Sequence, residues 1–144
     1  MSNELPTENV VYSYTRKQAI EDGVLIELRD DHEFNKMLIY LGLSLPSVVV
    51  TAGVYAAAVE PSGRPLPPEV TRDKRMRDLL VTMRVRINLK IEECKKNGEE
   101  PPSMVDFSVM VDEGTDTRKV DMWVMVGPGD DASPVMTIML KGED

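Results

Sequence analysis

The sequence predicts an α+β fold: an antiparallel sheet of three to four strands, ending in a C-terminal meander, packed against one long amphipathic helix and shorter N-terminal helices. Three observations carry this. Residues 68–97 keep helical periodicity between a Pro-Pro start and Gly98. After Gly98 the apolar period changes to two. Before residue 60 the chain reads as a short capped helix, a strand and a second helix. A length of 144 residues suits one domain, 1–144, long enough to bury a core.

Taken in order, residues 1–9 carry neither a basic n-region nor an apolar h-region, so a flexible start without a secretory signal is expected. Val10–Tyr14 reads as extended. In YTRKQAIEDGVL, Tyr14–Leu25, Thr15 is the N-cap and Gln18 stands at the third helical position, a capping box; Gly23 supplies the stop. The charges oppose this frame: Arg16 and Lys17 lie at the positive end of the helix, Glu21 and Asp22 at the negative end. Residues that break a local rule together point to partners elsewhere, in the fold or in a ligand.

Val24–Leu28 has a strand's composition and suits an edge of the sheet. Asp31–Leu41 follows as a helix, with Phe34, Leu38 and Leu41 at helical spacing and Gly42 at its end. Residues 44–59 are apolar on nearly every side, and Ala52, Gly53, Ala56 and Ala57 are small. A buried helix allowing close backbone approach is the expectation, and VVVT keeps a strand open. Residues 61–68, PSGRPLPP, form a loop between the two halves of one fold.

On the long helix, Met76, Leu79, Leu80, Met83, Ile87, Ile91 and Cys94 fall on one broad stripe. Val81, Val85 and Leu89 fall on the opposite side, an apolar row that needs a cover and is the candidate homo-oligomer interface. Net charge is −8, yet residues 71–98 carry 9 basic and 4 acidic side chains. A helix that grips phosphate gathers its cations on one face. Here Arg77, Arg84 and Lys95 lie along one flank and Arg75 and Arg86 along the other, the pattern of snorkelling edges on an acidic protein repelled by nucleic acid.

The final third alternates. Val105, Phe107, Val109 and Val111 share one face of a strand over Met104–Val111; Val120–Val126 and Pro134–Leu140 follow, joined by the turn-rich DEGTDTR and GPGDDAS. No apolar run is long enough to span a membrane. The lone Cys94 excludes an internal disulfide and fits a reducing, cytoplasmic setting.

Motifs that could hold chemistry read as structure. DDHE, Asp30–Glu33, contains the single histidine, but consecutive helical residues diverge; an Asp N-cap with Glu33 three residues on explains it without metal. DEGTD lacks the spacing and terminal Glu of a calcium loop and reads as a hairpin turn. GPGDD has no Lys and no following helix, unlike a phosphate cradle. One His and one Cys, well apart, support no hydrolytic triad. No cofactor is expected.

YTRKQAIEDGVL and VGPGDDASPVMTIML with its terminal Glu-Asp resemble the two ends of a family of small uncharacterised proteins carried by phages, plasmids and related mobile elements. That resemblance implies an accessory protein, a context in which adaptors and inhibitors are common. The leading expectation is thus a small, acidic, non-enzymatic module that binds a protein partner. Two alternatives stand beside it. One is an enzyme or small-ligand binder with a pocket built by the two end motifs around Tyr14, Arg16, Glu21, Asp22, Trp123, Asp130 and Asp131. The other is a homo-oligomer joined through Val81, Val85 and Leu89.

Overall fold

The computed structural model describes residues 15–60, 68–112 and 116–143. The expectations for 1–9, Val10–Tyr14, the Pro-rich 61–67 and the centre of the DEGTD turn fall outside these residues. In chain order the elements are α1 (Arg16–Glu21), β1 (Leu25–Glu27), a 3-10 turn at Leu28–Asp30, and α2 (His32–Tyr40). Then come β2 (Val48–Thr51), the single turn α3 (Ala52–Val54) running into a π-turn at Tyr55–Val59, and α4 (Pro68–Asn97). Strands β3 (Met104–Asp112), β4 (Thr117–Pro128) and β5 (Pro134–Leu140) complete the fold.

The fold is α+β, but the sheet is mixed and has five strands, in the order β1-β2-β5-β4-β3. The C-terminal meander is antiparallel as expected, and β1 is an edge strand paired antiparallel with β2. Strand β2, however, runs parallel to β5, with Val49 opposite Thr137. This corrects the expectation of an antiparallel sheet of three to four strands; of the two readings of residues 44–59, the strand holds at Val48–Thr51 and helical turns only over Ala52–Val59. The cause is burial on both faces: Val48, Val49 and Val50 have no exposed surface. A strand covered on both sides shows a continuous apolar run, the pattern it shares with a buried helix.

Helices α4 and α2 cover one face of the sheet. Met76, Leu79, Leu80 and Met83 of α4 join Phe34 and Leu38 of α2 against Val48, Val50, Phe107, Met122 and Ile138. Each such side chain contributes roughly 1.5–3 kcal/mol by leaving water. Cys94 is buried on the same stripe. The other face receives α1 over β1, β2 and β5, where Ala19, Val49 and Met139 are buried. Towards β4 and β3 that face opens, leaving Met110 and Met125 exposed.

The local signals read from the sequence hold. Thr15 Oγ1 accepts from Gln18 N at 3.0 Å while Gln18 Oε1 accepts from Thr15 N at 3.0 Å. Gly23 at φ +80° and Gly98 at φ +70° close α1 and α4, where a side chain would be strained. The cap of α2 is Asp31, which accepts from Phe34 N at 3.0 Å, so Glu33 falls at the second helical position rather than the third.

The flank arginines of α4 finish the sheet edge. Arg75, 7% exposed, donates to Glu60 O at 2.5 Å and to Asp112 O at 2.8 Å. Arg86 Nε donates to Asp106 O at 3.1 Å. Strand β3 is an edge strand, and these side chains occupy carbonyls that face away from β4, one way a sheet edge is protected from a stray strand.

Candidate functional site

Two places on the surface merit a chemical reading: the junction of the two end motifs, and a groove between α2 and α4. At the junction the motifs meet. Asp130, in the turn between β4 and β5, accepts from Arg16 N and Lys17 N at 3.1 Å each. The first backbone donors of a helix lack intrahelical partners, so this carboxylate and Thr15 together cap α1. Arg16 then lies down across the sheet: Nε donates to Ser47 Oγ at 2.9 Å, one Nη to Thr137 Oγ1 at 2.7 Å, and the other to Met136 O at 2.6 Å. Burial pushes its pKa below the ordinary value, opposed by the charges of Glu27 and Asp130. Glu27 in turn accepts from Ser47 Oγ at 2.5 Å and Val48 N at 3.0 Å.

Beyond the other end of α1 lies a cleft of about 460 Å³ to which Asp22, Thr51, Gly53, Thr137, Met139 and Glu143 contribute. Glu143 Oε1 accepts from Thr51 Oγ1 and from Leu140 N, both at 2.8 Å. Its other oxygen lies so close to Gly53 that a Cβ there would meet it at 2.6 Å. The close approach expected from the small residues of 52–57 is thus made by a C-terminal side chain.

The structure brings together Arg16 and Asp130, and it places Asp22 in a cleft with residues of the second motif. Glu21 is exposed at the end of α1. Asp131 accepts from Ser133 N at 3.1 Å, a turn bond that holds its carboxyl below the usual range. Trp123 stands apart in the middle of β4, with Lys141 Nζ 4.8 Å from its ring centroid and Met139 as its partner on β5. Tyr14 lies outside the described residues. Among the described residues no three His, Cys, Asp or Glu side chains converge as a metal site. His32 is exposed on the first turn of α2.

The groove between α2 and α4 has a volume of about 570 Å³. Glu33, Lys36, Met37, Ile39, Tyr40 and Leu41 line one wall, with Lys36 Nζ 3.6 Å from Glu33 Oε1, and Arg77 and Val81 line the other. Exposure is high in the groove for Ile39 66%, Tyr40 90% and Val81 41%, and farther along α4 for Val85 52% and Leu89 58%. Sequence reasoning found Val81, Val85 and Leu89 but missed Ile39 and Tyr40. Their signal was present, since both fall outside the stripe formed by Phe34, Leu38 and Leu41.

The fold and its surface define a small α+β protein, a five-stranded mixed sheet backed by one long helix, with an exposed apolar groove beside that helix. The chain belongs to a family of unknown function, DUF6573, whose profile matches residues 1–144. No curated protein and no solved structure gives a match.

Proposed function

We propose that the protein is a non-enzymatic binding module that engages a protein partner through the face formed by α2 and α4. The observation that carries this is the shared exposure of Ile39, Tyr40, Val81, Val85 and Leu89, large apolar side chains on two adjacent helices. Ile39, Tyr40 and Val81 meet in one groove, and exposed apolar surface gathered in this way is characteristic of interaction sites. A tyrosine 90% exposed beside such a surface has the amphipathic character favoured in protein contacts. The context implied by the end motifs, an accessory protein of a phage, plasmid or related element acting in the cytoplasm, agrees with an adaptor or inhibitor role.

The ligand-pocket alternative is weaker on geometry. Arg16, Asp130, Asp131, Thr51 and Glu143 all bond to other parts of the chain, so the junction of the end motifs is held by its own polar groups.

Photo-crosslinking tests the proposal. A benzoylphenylalanine replacing Tyr40 should yield a discrete adduct with another protein in cells, and a Val81→Ser/Val85→Ser background should abolish it. The same probe at Lys119, on the far face of the sheet, should give none. No adduct from position 40, or equal adducts from both positions, removes the reading.

A further inference from the structure

The rim of the α2–α4 groove constrains what can lie in it. Arg77 lines the groove beside Val81, and Arg84 follows two helical turns along the same flank. Both are exposed, and neither guanidinium takes part in a hydrogen bond or ion pair among the described residues. The other arginines of α4 are all engaged. Arg72 pairs with Asp31 and Asp73, Arg75 holds Glu60 O and Asp112 O, and Arg86 holds Asp106. Glu33 on the facing wall is paired with Lys36, and Asp78 of α4 with Lys74, so in a chain of net charge −8 the two guanidinia, unengaged among the described residues, leave uncompensated positive charge beside the apolar surface. A carboxylate arriving there pairs in a partly dried setting, where a charge-assisted bond is stronger than in open water.

A second copy of the chain fits this face poorly. Asp78 and Glu92 lie seven residues either side of Val85, and Lys74 and Lys96 eleven. An antiparallel pair of α4 helices centred on Val85 would set Asp78 against Glu92 and Lys74 against Lys96. A parallel pair would set each against itself. Both arrangements oppose like charges, which disfavours the contact.

We propose that the α2–α4 groove receives an amphipathic helix of another protein, its apolar face over Met37, Tyr40 and Val81 and its acidic flank against Arg77 and Arg84. This rests on the reading of the chain as a protein-binding module. The exposed row from Val81 to Leu89 extends about 12 Å along α4, the length of a little over two helical turns. Recognition of this type places apolar anchors of the incoming helix at i, i+3, i+4 and i+7.

Two stapled helical peptides with identical leucine anchors, one flanked by Glu and one by Lys, provide the probe in fluorescence polarisation. The Glu peptide should bind saturably and about tenfold more tightly than the Lys peptide, consistent with two rim pairs and their loss. Its affinity should fall as salt rises, because rim charges are screened. Arg77→Glu/Arg84→Glu should reverse the preference, with an unchanged thermal melt showing that the fold is intact. Equal or tighter binding of the Lys peptide overturns the assignment, as do absence of saturable binding and a preference that survives charge reversal. A concentration-dependent dimer abolished by Val85→Asp overturns it in favour of a second copy. If the peptides fail while position 40 still crosslinks to another protein, the acidic helix is wrong and the binding-module reading stands. If both fail, both fall.

Discussion

Asp130 and Arg16 are 114 positions apart in sequence, and the carboxylate of one caps the helix that the other begins, accepting from Arg16 N at 3.1 Å. The contact resolves the misplaced charges of α1. Arg16 and Lys17 stand at the positive end of a helix dipole, an unfavourable position. Asp130 supplies the negative charge that this end requires, and the Arg16 side chain leaves the helix to bond Thr137 and Met136 on β5.

Asp130→Ala should therefore lower stability by about 1 kcal/mol, the ordinary loss for an N-terminal cap. Asp130→Asn should retain part of it, since an amide oxygen still accepts. Urea unfolding of the three proteins checks the order; identical midpoints would show that the cap contributes nothing.

Arg16 should matter more than its cap. Replacing it with Met leaves Ser47 Oγ, Thr137 Oγ1 and Met136 O without their donor in a half-buried place. A loss of roughly 1–3 kcal/mol is expected. Lysine should not rescue it, because one ammonium cannot reproduce a planar fork with three separate acceptors. Stability equal to wild type in Arg16→Lys would refute this account.

Arginines on one helix should differ sharply. Arg75→Ala leaves two carbonyls, Glu60 O and Asp112 O, without their donor at a buried site, with an expected loss on the order of 2–3 kcal/mol. Arg77→Ala and Arg84→Ala, both at exposed positions, should stay within about 0.5 kcal/mol. Thermal melts of the three variants decide, and equal shifts would contradict the assigned roles.

Acid should weaken the fold through named groups. A hydrogen bond from Lys141 draws the Asp106 carboxyl below its usual range, and one from Ser108 does the same for Asp121. A carboxyl with a depressed folded-state pKa adds stability above the unfolded value, about 3.9, and loses it as pH falls through the lower folded value. Melting temperature should decline below about pH 4, with a shallower decline in Asp106→Asn/Asp121→Asn. An unchanged acid limb in that variant would assign the loss to other groups.

Gly53→Ala should displace the C-terminal side chain. The added Cβ would meet Glu143 Oε2 at 2.6 Å and Leu140 Cδ1 at 3.1 Å. The contact is the far end of an exposed glutamate side chain, which can shift at the expense of its bonds to Thr51 and Leu140, so a modest destabilisation is expected. Glu143→Ala should relieve the clash, making the double variant more stable than the sum of its parts. Strict additivity in a double-mutant cycle would exclude the contact.

Elements with local causes were legible in the sequence. The capping box of Thr15 and Gln18, the stop at Gly23, the span of α4 and the alternation of β3 depend on residues within a few positions of one another. Strand β2 was legible only as the second of two readings, because VVV looks alike in a doubly covered strand and in a buried helix. Its parallel pairing with β5 is a choice made by residues some ninety positions away. The candidate groove was half legible: Val81 belonged to an uncovered row, and Ile39 and Tyr40 fell off the stripe of Phe34, Leu38 and Leu41, but that these residues meet was decided only when α2 came to lie beside α4.

The sequence by itself determined the long helix with its two apolar sides, the meander, the helix caps and stops, and the acidic balance, since each follows from periodicity, backbone preference or composition. Tertiary structure alone decided that Asp130 caps α1, that Arg75 and Arg86 close the β3 edge, and that Arg77 and Arg84 find no partner among the described residues. A charge carries no record of its partner; distance sets that, and distance is fixed only when the chain has folded.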